Sequence, residues 1–154
     1  MSIFPTRILL ATDGSDEAEL AALRAVELAD ATHSELHVVH VGVVPLFLVS
    51  YPGTLGYEGK LYERIEEDSR ELLRKQSWRV KAAGGTVAGT HLRMGEVALE
   101  ILALAEDIGA DLIVMGSRGL GGLRRALMGS VSDSVVRHAH CPVLVVRPEK
   151  EQAA

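Results

Sequence analysis

The sequence predicts an α/β domain in which a parallel sheet is covered by helices on both faces. The first observation is a set of apolar runs that are rich in branched residues and do not alternate with polar ones, as strands buried on both faces require. These runs are Ile8–Ala11, Leu36–Val44, Leu112–Met115 and Val143–Val146. The second observation is that helical periodicity fills the segments between them. Such alternation is typical of a doubly wound sheet with right-handed crossovers.

The length of 154 residues is a third observation, because a chain of this size forms one domain that buries about two-thirds of its unfolded surface. Apolar residues make up 47% and charged residues 24% of the chain, so neither disorder nor a disulfide scaffold is expected. We expect residues 1–148 to form the domain and residues 149–154 to be a carboxyl-terminal tail.

The first strand leads directly into an alanine-rich helix over Glu17–Ala31. Ser15 and Asp16 precede this helix as candidate caps, and Asp16 and Glu19 have the spacing of a capping box. A strand over Leu36–Val44 follows. The connection Pro45–Tyr57 is long for a compact domain, and we interpret it as a candidate lid.

A long charged helix is predicted over Glu58–Ala83, and Gly84 with Gly85 ends it. The candidate ion pairs along it, spaced i,i+4, are Glu66 with Arg70 and Glu71 with Lys75. The strand Thr86–Arg93 has few large apolar residues, as an edge position favours. An apolar helix face follows, formed by Val97, Ile101, Leu104, Ala105 and Ile108. The element order is therefore βαβαβαβαβ.

The charge balance argues against nucleic acid or an anionic membrane as a partner. The chain contains 16 lysine and arginine residues and 21 aspartate and glutamate residues, which gives a formal net charge of −5. The longest apolar stretch, Leu36–Val49, is interrupted and falls short of the roughly 20 residues of a membrane span. The single cysteine, Cys141, cannot form an internal disulfide and suits a reducing compartment. We expect a cytoplasmic protein.

Glycine is concentrated after the fourth strand, where five of the 15 glycines fall within fourteen residues: Gly116, Gly119, Gly121, Gly122 and Gly129. A glycine-rich turn between a strand and a helix exposes backbone N–H groups and lets a phosphate approach. The alternative is an ordinary turn in which Ser130 caps the helix, with Asp133 three residues on.

Two well-known phosphate loops do not fit this segment. A P-loop requires lysine and then serine or threonine where Gly122 and Leu123 stand. A dinucleotide loop requires a third glycine where Arg124 stands, and an acidic ribose partner on a later strand. Catalytic motifs are also missing: Cys141 is expected to be a structural thiol, and His138 and His140 beside it are a weak metal candidate. We treat His37 and His40 as structural.

The spacing Gly116-Ser117-Arg118-Gly119, nine further residues, then Gly129-Ser130 resembles the nucleotide loop of the ATP-binding branch of the universal stress proteins. The opening Ile8–Ser15, the dipeptide His40-Val41 and the closing His140–Val146 are also similar to that family. The resemblance covers nearly the whole chain and implies a five-stranded sheet in the order 3-2-1-4-5.

The resemblance also implies roles for individual residues. Asp13 and the backbone of Val41 would meet adenine, and Ala11 and Gly116 would lie near the ribose, although family members often have proline at position 11. The phosphates would lie against Gly119, Gly129, Ser130, Val131 and Ser132, with Thr12, Met115 and Arg118 lining the site. Asp13 could instead be a turn former. Arg118, Arg124 and Arg125 add positive charge that would help neutralise a triphosphate, although Arg124 and Arg125 could instead be solvated surface residues.

The function expected from this resemblance is a dimeric regulatory module that binds ATP, with Mg²⁺ held by the phosphates. We expect the homodimer to form through the edge strand Val143–Val146, because an apolar run at a sheet edge needs a cover. The alternatives are a slow ATPase or phosphotransferase, a binder of AMP or cyclic AMP, and a ligand-free interaction module.

Overall fold

The computed structural model describes residues 6–45, 57–118 and 129–148. Nine elements lie in these ranges, in this order: β1 (Arg7–Ala11), α1 (Asp16–Thr32), β2 (Glu35–Val43), α2 (Tyr57–Ala82), β3 (Val87–Gly95), α3 (Val97–Asp107), β4 (Leu112–Gly116), α4 (Ser130–His138) and β5 (Val143–Val146). Each corresponds to an element predicted from sequence, and the bounds that were predicted differ from the observed ones by no more than two residues.

Three of the clustered glycines, Gly119, Gly121 and Gly122, lie outside the described residues, as do Arg124 and Arg125. The candidate lid lies outside them from residue 46 to residue 56, and so does the proposed tail from residue 149 onward. Within the described ranges, no helix is both long enough and apolar enough to cross a membrane.

The five strands form one parallel sheet in the order β3-β2-β1-β4-β5, which confirms the predicted order. In the centre of the sheet, Leu9 of β1 lies opposite His37 of β2 and Ile113 of β4. The direction of strand order reverses between β1 and β4, because β2 and β3 extend to one side of β1 while β4 and β5 extend to the other. Ligands in open α/β sheets bind at such a reversal, beyond the carboxyl ends of the strands.

Helices cover both faces of the sheet and bury one apolar cluster on each side. On one face, Leu9, Val39 and Ile113 pack with residues of α3 and with Val135 of α4. On the other face, Ile8, Leu10, Leu36, Val38 and Val114 pack with α1 and α2 through Ala21, Ala25, Leu73 and Val80. The small alanines let α1 approach the sheet closely, whereas the branched strand residues fill the space between the layers.

On α1 and α2, two local predictions are wrong in detail. Helix α1 is capped by Ser15, whose side chain accepts a hydrogen bond from the N–H of Ala18, so Asp16 is the first helical residue and does not form a capping box with Glu19. On α2, Glu66 pairs with Arg70 as predicted. Glu71 pairs instead with Arg74, one turn away at i,i+3.

The amino end of β1 is tied to the start of β4 by a carboxylate. Asp111 accepts hydrogen bonds from the Thr6 hydroxyl at 2.6 Å and from the N–H groups of Thr6 and Arg7 at 3.1 Å each. These hydrogen bonds hold the pKa of Asp111 below its ordinary value, and the bond from the Thr6 hydroxyl contributes most to this effect. Asp111 thus joins the amino ends of the two strands between which the strand order reverses.

Candidate functional site

A cleft of about 470 Å³ lies at the strand-order reversal, beyond the carboxyl ends of β1, β2 and β4. This volume is within the range of about 300–1,000 Å³ that small-molecule sites occupy. Every predicted site residue that the structure describes lines this cleft: Ala11, Thr12, Asp13, Val41, Met115, Gly116, Arg118, Gly129, Ser130, Val131 and Ser132. Gly119, the remaining predicted residue, lies outside the described residues.

The turn after β1 forms one wall of the cleft. The N–H of Thr12 donates to the carbonyl of Val39 at 3.0 Å, which extends the pairing of β1 with β2 by one residue. One carboxylate oxygen of Asp13 accepts a hydrogen bond from the N–H of Ser15 at 2.9 Å, as in an Asx turn. The turn-forming role of Asp13 is thus present in the structure. It does not exclude a ligand role, because a carboxylate accepts several hydrogen bonds.

The end of β2 contributes His40, which the sequence led us to treat as structural. Nδ1 of His40 lies 2.8 Å from the carbonyl oxygen of Thr12. Because a carbonyl oxygen only accepts, Nδ1 carries the proton and donates it to Thr12. His40 also lines the cleft, directly before the predicted adenine contact Val41. The signal for it in the sequence was its position at the carboxyl end of a strand beside the reversal.

Helices α2 and α3 complete the apolar wall with residues that sequence reasoning missed: Ser69, Leu72, Val97 and Ile101. Ser69 is buried, and its hydroxyl donates to the carbonyl of Ile65 at 2.7 Å. No local motif marks these residues, because only the packing of α2 and α3 against the sheet brings them to the cleft.

The segment after β4 is held by a residue of α1 that was also missed. The carboxylate of Glu17 accepts hydrogen bonds from the hydroxyl of Ser117 at 2.7 Å and from the N–H of Arg118 at 2.6 Å. The guanidinium Nε of Arg118 lies 3.5 Å from the other carboxylate oxygen. The N–H of Ser117 donates to the carbonyl of Val146, which links the same segment to β5.

The amino end of α4 faces the cleft. Gly129 is the N-cap and no side chain caps the helix, so the alternative interpretation, in which Ser130 is the cap, is wrong by one residue. The N–H of Gly129 donates to the carbonyl of Ser117 at 2.6 Å. The buried hydroxyl of Ser132 donates to the same carbonyl, also at 2.6 Å. These bonds bring the first turn of α4, whose N–H groups have no partner within the helix, against the end of β4.

The two described glycines of the cluster have different surroundings. A Cβ added at Gly116 would lie 3.0 Å from the backbone carbon and the Cβ of Glu17, so packing against α1 explains this glycine. Among the described residues, the atoms nearest to a Cβ added at Gly129 belong to Arg118 and Ser117, at 3.4 Å, and the φ of −74° suits any residue. Neither packing against the described residues nor backbone conformation therefore requires glycine at position 129.

The metal candidate at the other end of α4 is not supported. Within the described ranges, no group of three or more histidine, cysteine, aspartate and glutamate side chains could hold a metal ion. Cys141 is half-buried, and burial raises the pKa of its thiol. A raised thiol pKa lowers the fraction of reactive thiolate, which agrees with a structural role for Cys141.

Comparison with known proteins identifies the family. The profile of the universal stress protein family matches residues 5–147. A universal stress protein of Methanocaldococcus jannaschii is 38% identical over 146 residues, which cover 95% of this chain and 84% of that protein. Among solved structures, the hypothetical protein MJ0577 superposes with a TM-score of 0.80 at 28% identity, covering 95% of this chain and 98% of the other.

Two further solved structures of similar proteins contain nucleotides. A universal stress protein in complex with cAMP has a TM-score of 0.70 and 26% identity, covering 92% of this chain and 97% of that one. The universal stress protein from Archaeoglobus fulgidus in complex with dAMP has a TM-score of 0.63 and 25% identity, covering 94% and 99%. The match over nearly the whole sequence and the shared sheet show that this chain belongs to the universal stress protein family.

Proposed function

We propose that the cleft binds an adenine nucleotide and that the chain acts as a regulatory module in response to stress. The observation that carries the proposal is Gly129. This glycine caps a helix that points its first turn into the cleft, and neither its backbone conformation nor its neighbours in the described part of the chain require it. A phosphate group that approaches the backbone of this turn would explain why a side chain is absent there.

The nucleotide has a defined orientation in this proposal. The base lies against Asp13 and the backbone of Val41, and the ribose lies near Ala11 and Gly116. The phosphates lie at the amino end of α4, against Gly129, Ser130, Val131 and Ser132, and against Gly119 in the segment outside the described residues. Thr12, Met115 and Arg118 line the remaining surface. Two similar proteins with bound cAMP and dAMP support an adenine base joined to a phosphate.

ATP is the ligand that we propose, with Mg²⁺ coordinated by its phosphate oxygens, which are the hard ligands that this ion prefers. Binding without rapid turnover is part of the proposal, since no lysine lines the described part of the cleft to stabilise phosphoryl transfer. A second candidate ligand is AMP or cyclic AMP, because the two nucleotide complexes among the similar proteins contain a single phosphate group.

The proposed regulatory unit is a homodimer. Strand β5 lies at the edge of the sheet, and Leu144 in it is exposed, so pairing with the β5 strand of a second copy would cover an apolar edge.

Isothermal titration calorimetry of the Gly129→Ala variant tests the proposed site. We expect the affinity for ATP to fall at least about tenfold, which corresponds to about 1.4 kcal/mol, because the added Cβ would stand between the helix and the phosphate. Stability should fall by no more than about 1 kcal/mol, the cost of alanine at an N-cap.

The matched control is Gly59→Ala on α2, where an added Cβ has no neighbour within 4 Å among the residues that the structure describes. This control should bind ATP as the wild type does. Equal ATP affinity in both variants and the wild type would contradict the phosphate assignment, and GTP bound as tightly as ATP would contradict adenine recognition.

A further inference from the structure

Glu17 contacts the segment after β4 on the side that faces away from the cleft, through both its backbone and its carboxylate. Its backbone packs on Gly116, where even a single added methyl group would come within 3.0 Å. Its carboxylate accepts hydrogen bonds from the hydroxyl of Ser117 and from the N–H of Arg118. Glu17 itself does not line the cleft, whereas Gly116, Ser117 and Arg118 do. The carboxylate therefore lies directly behind the segment that faces a ligand.

The same carboxylate forms an ion pair with the Arg118 guanidinium, with 3.5 Å between Nε and the nearer oxygen. The side chains of Arg118 and Glu17 are 22% and 17% exposed, so the pair is shielded from most of the solvent. Charges in such positions are screened less than surface charges and act on a neighbouring ligand more strongly.

Within the described part of the cleft, the positive charge of Arg118 therefore does not act alone on an anionic ligand. Asp13 and Arg118 carry the formal charges among the described lining residues, and the negative charge of Glu17 lies behind them. The positive charge of Arg118, which the sequence suggested for the phosphates, is thus offset by a carboxylate within the protein.

We propose that the negative charge of Glu17 weakens the binding of a nucleotide in proportion to the charge on its phosphates, so that it lowers the affinity for ATP without Mg²⁺ more than the affinity for AMP. This inference rests on the proposed function, because it concerns the same nucleotide. Glu17 acts through its position and charge behind the segment at Ser117 and Arg118, and it makes no contact with the ligand itself.

The test measures the affinities of adenosine, AMP, ADP and ATP without Mg²⁺, a series in which the negative charge increases. Glu17→Gln removes the charge and keeps a side-chain oxygen that accepts the Arg118 N–H. Relative to the wild type, we expect adenosine to bind equally well and the gain in affinity to increase along the series. It should reach roughly tenfold for ATP, the scale of one nearby unit charge. Asp16→Asn is the control, since it neutralises an exposed carboxylate on the same turn of α1.

A second pair of variants guards against a folding defect in Glu17→Gln. Arg118→Gln should lower ATP affinity, and Glu17→Gln should raise ATP affinity by a similar factor with or without Arg118, because the interactions of two charges with the phosphates add. Equal effects of Glu17→Gln on adenosine and ATP, or a gain for ATP that disappears in the Arg118→Gln background, would overturn the inference alone. A wild-type protein that binds none of the four compounds would overturn the proposed function together with it.

Discussion

At the residue scale, two imidazole rings on neighbouring strands make the stability of this protein depend on pH. Nδ1 of His37 lies 3.1 Å from Nε2 of His91, and the two rings are stacked. Glycine at position 89 leaves room for them, since a Cβ there would lie 2.8 Å from Nδ1 of His37. Burial, followed by the positive charges of His37 and Arg93, lowers the pKa of His91 below its ordinary value of 6.5.

A lowered histidine pKa means that the unfolded chain binds more protons than the folded chain as the pH falls below 6.5. The free energy of unfolding should therefore decrease as the pH is lowered through this window, and His91→Gln should remove part of the decrease. Urea denaturation of both proteins between about pH 5 and pH 7 measures the difference. If the difference in the free energy of unfolding between the wild type and His91→Gln stays constant across this pH range, His91 does not contribute to the pH dependence.

At the element scale, helix α1 packs on one face of the sheet and also positions Glu17 against Ser117 and Arg118. Its first turn depends on Ser15, a buried residue whose hydroxyl oxygen accepts the N–H of Ala18 at 3.2 Å. We expect Ser15→Ala to lower the free energy of unfolding by about 1 kcal/mol, the usual cost of losing an N-cap. Ser15→Thr keeps the capping oxygen and should retain most of the stability. Urea denaturation compares the two, and an equal loss in both variants would show that the tight packing of Ser15 matters more than its cap.

At the scale of the whole molecule, the open edge of β5 decides whether two copies can share one sheet. The carbonyl of Pro142 accepts a hydrogen bond from Ile113 of β4, and that of Val146 accepts one from Ser117, the residue after β4. Because backbone groups alternate in direction along a strand, those of Val143 and Val145 point away from β4 toward the open edge. Val145→Pro thus removes an outward N–H and leaves the pairing of β4 with β5 in place.

We expect Val145→Pro to convert the proposed dimer into a folded monomer at micromolar concentration. Val145→Ala, which keeps the outward N–H, should remain largely dimeric. Light scattering gives the mass of each variant, and circular dichroism shows whether it is folded. A Val145→Pro protein that is still dimeric would show that the dimer contact lies elsewhere. A wild-type protein that is monomeric with and without ATP would contradict the proposed dimer.

The family and the fold class could be predicted because they depend on local features of the chain. Apolar runs and helical periodicity report which segments are buried, and they predicted all nine elements in order. The glycine spacing that ends at Gly129-Ser130 resembled one family, and the strand order came with that resemblance. Local prediction failed at single caps and pairs, such as Ser130 and Glu71, where neighbouring residues of similar propensity compete within one helical turn.

Only the tertiary structure decided which distant residues meet at the cleft. Glu17 and Ser117 are joined by a hydrogen bond although 100 residues separate them, and His40 meets Thr12 across two strands. A sequence pattern reports the periodicity of one segment and contains no distance between two segments. The reversal of strand order between β1 and β4 and the close approach that Gly116 permits supply those distances, and with them the charge that lies behind the cleft.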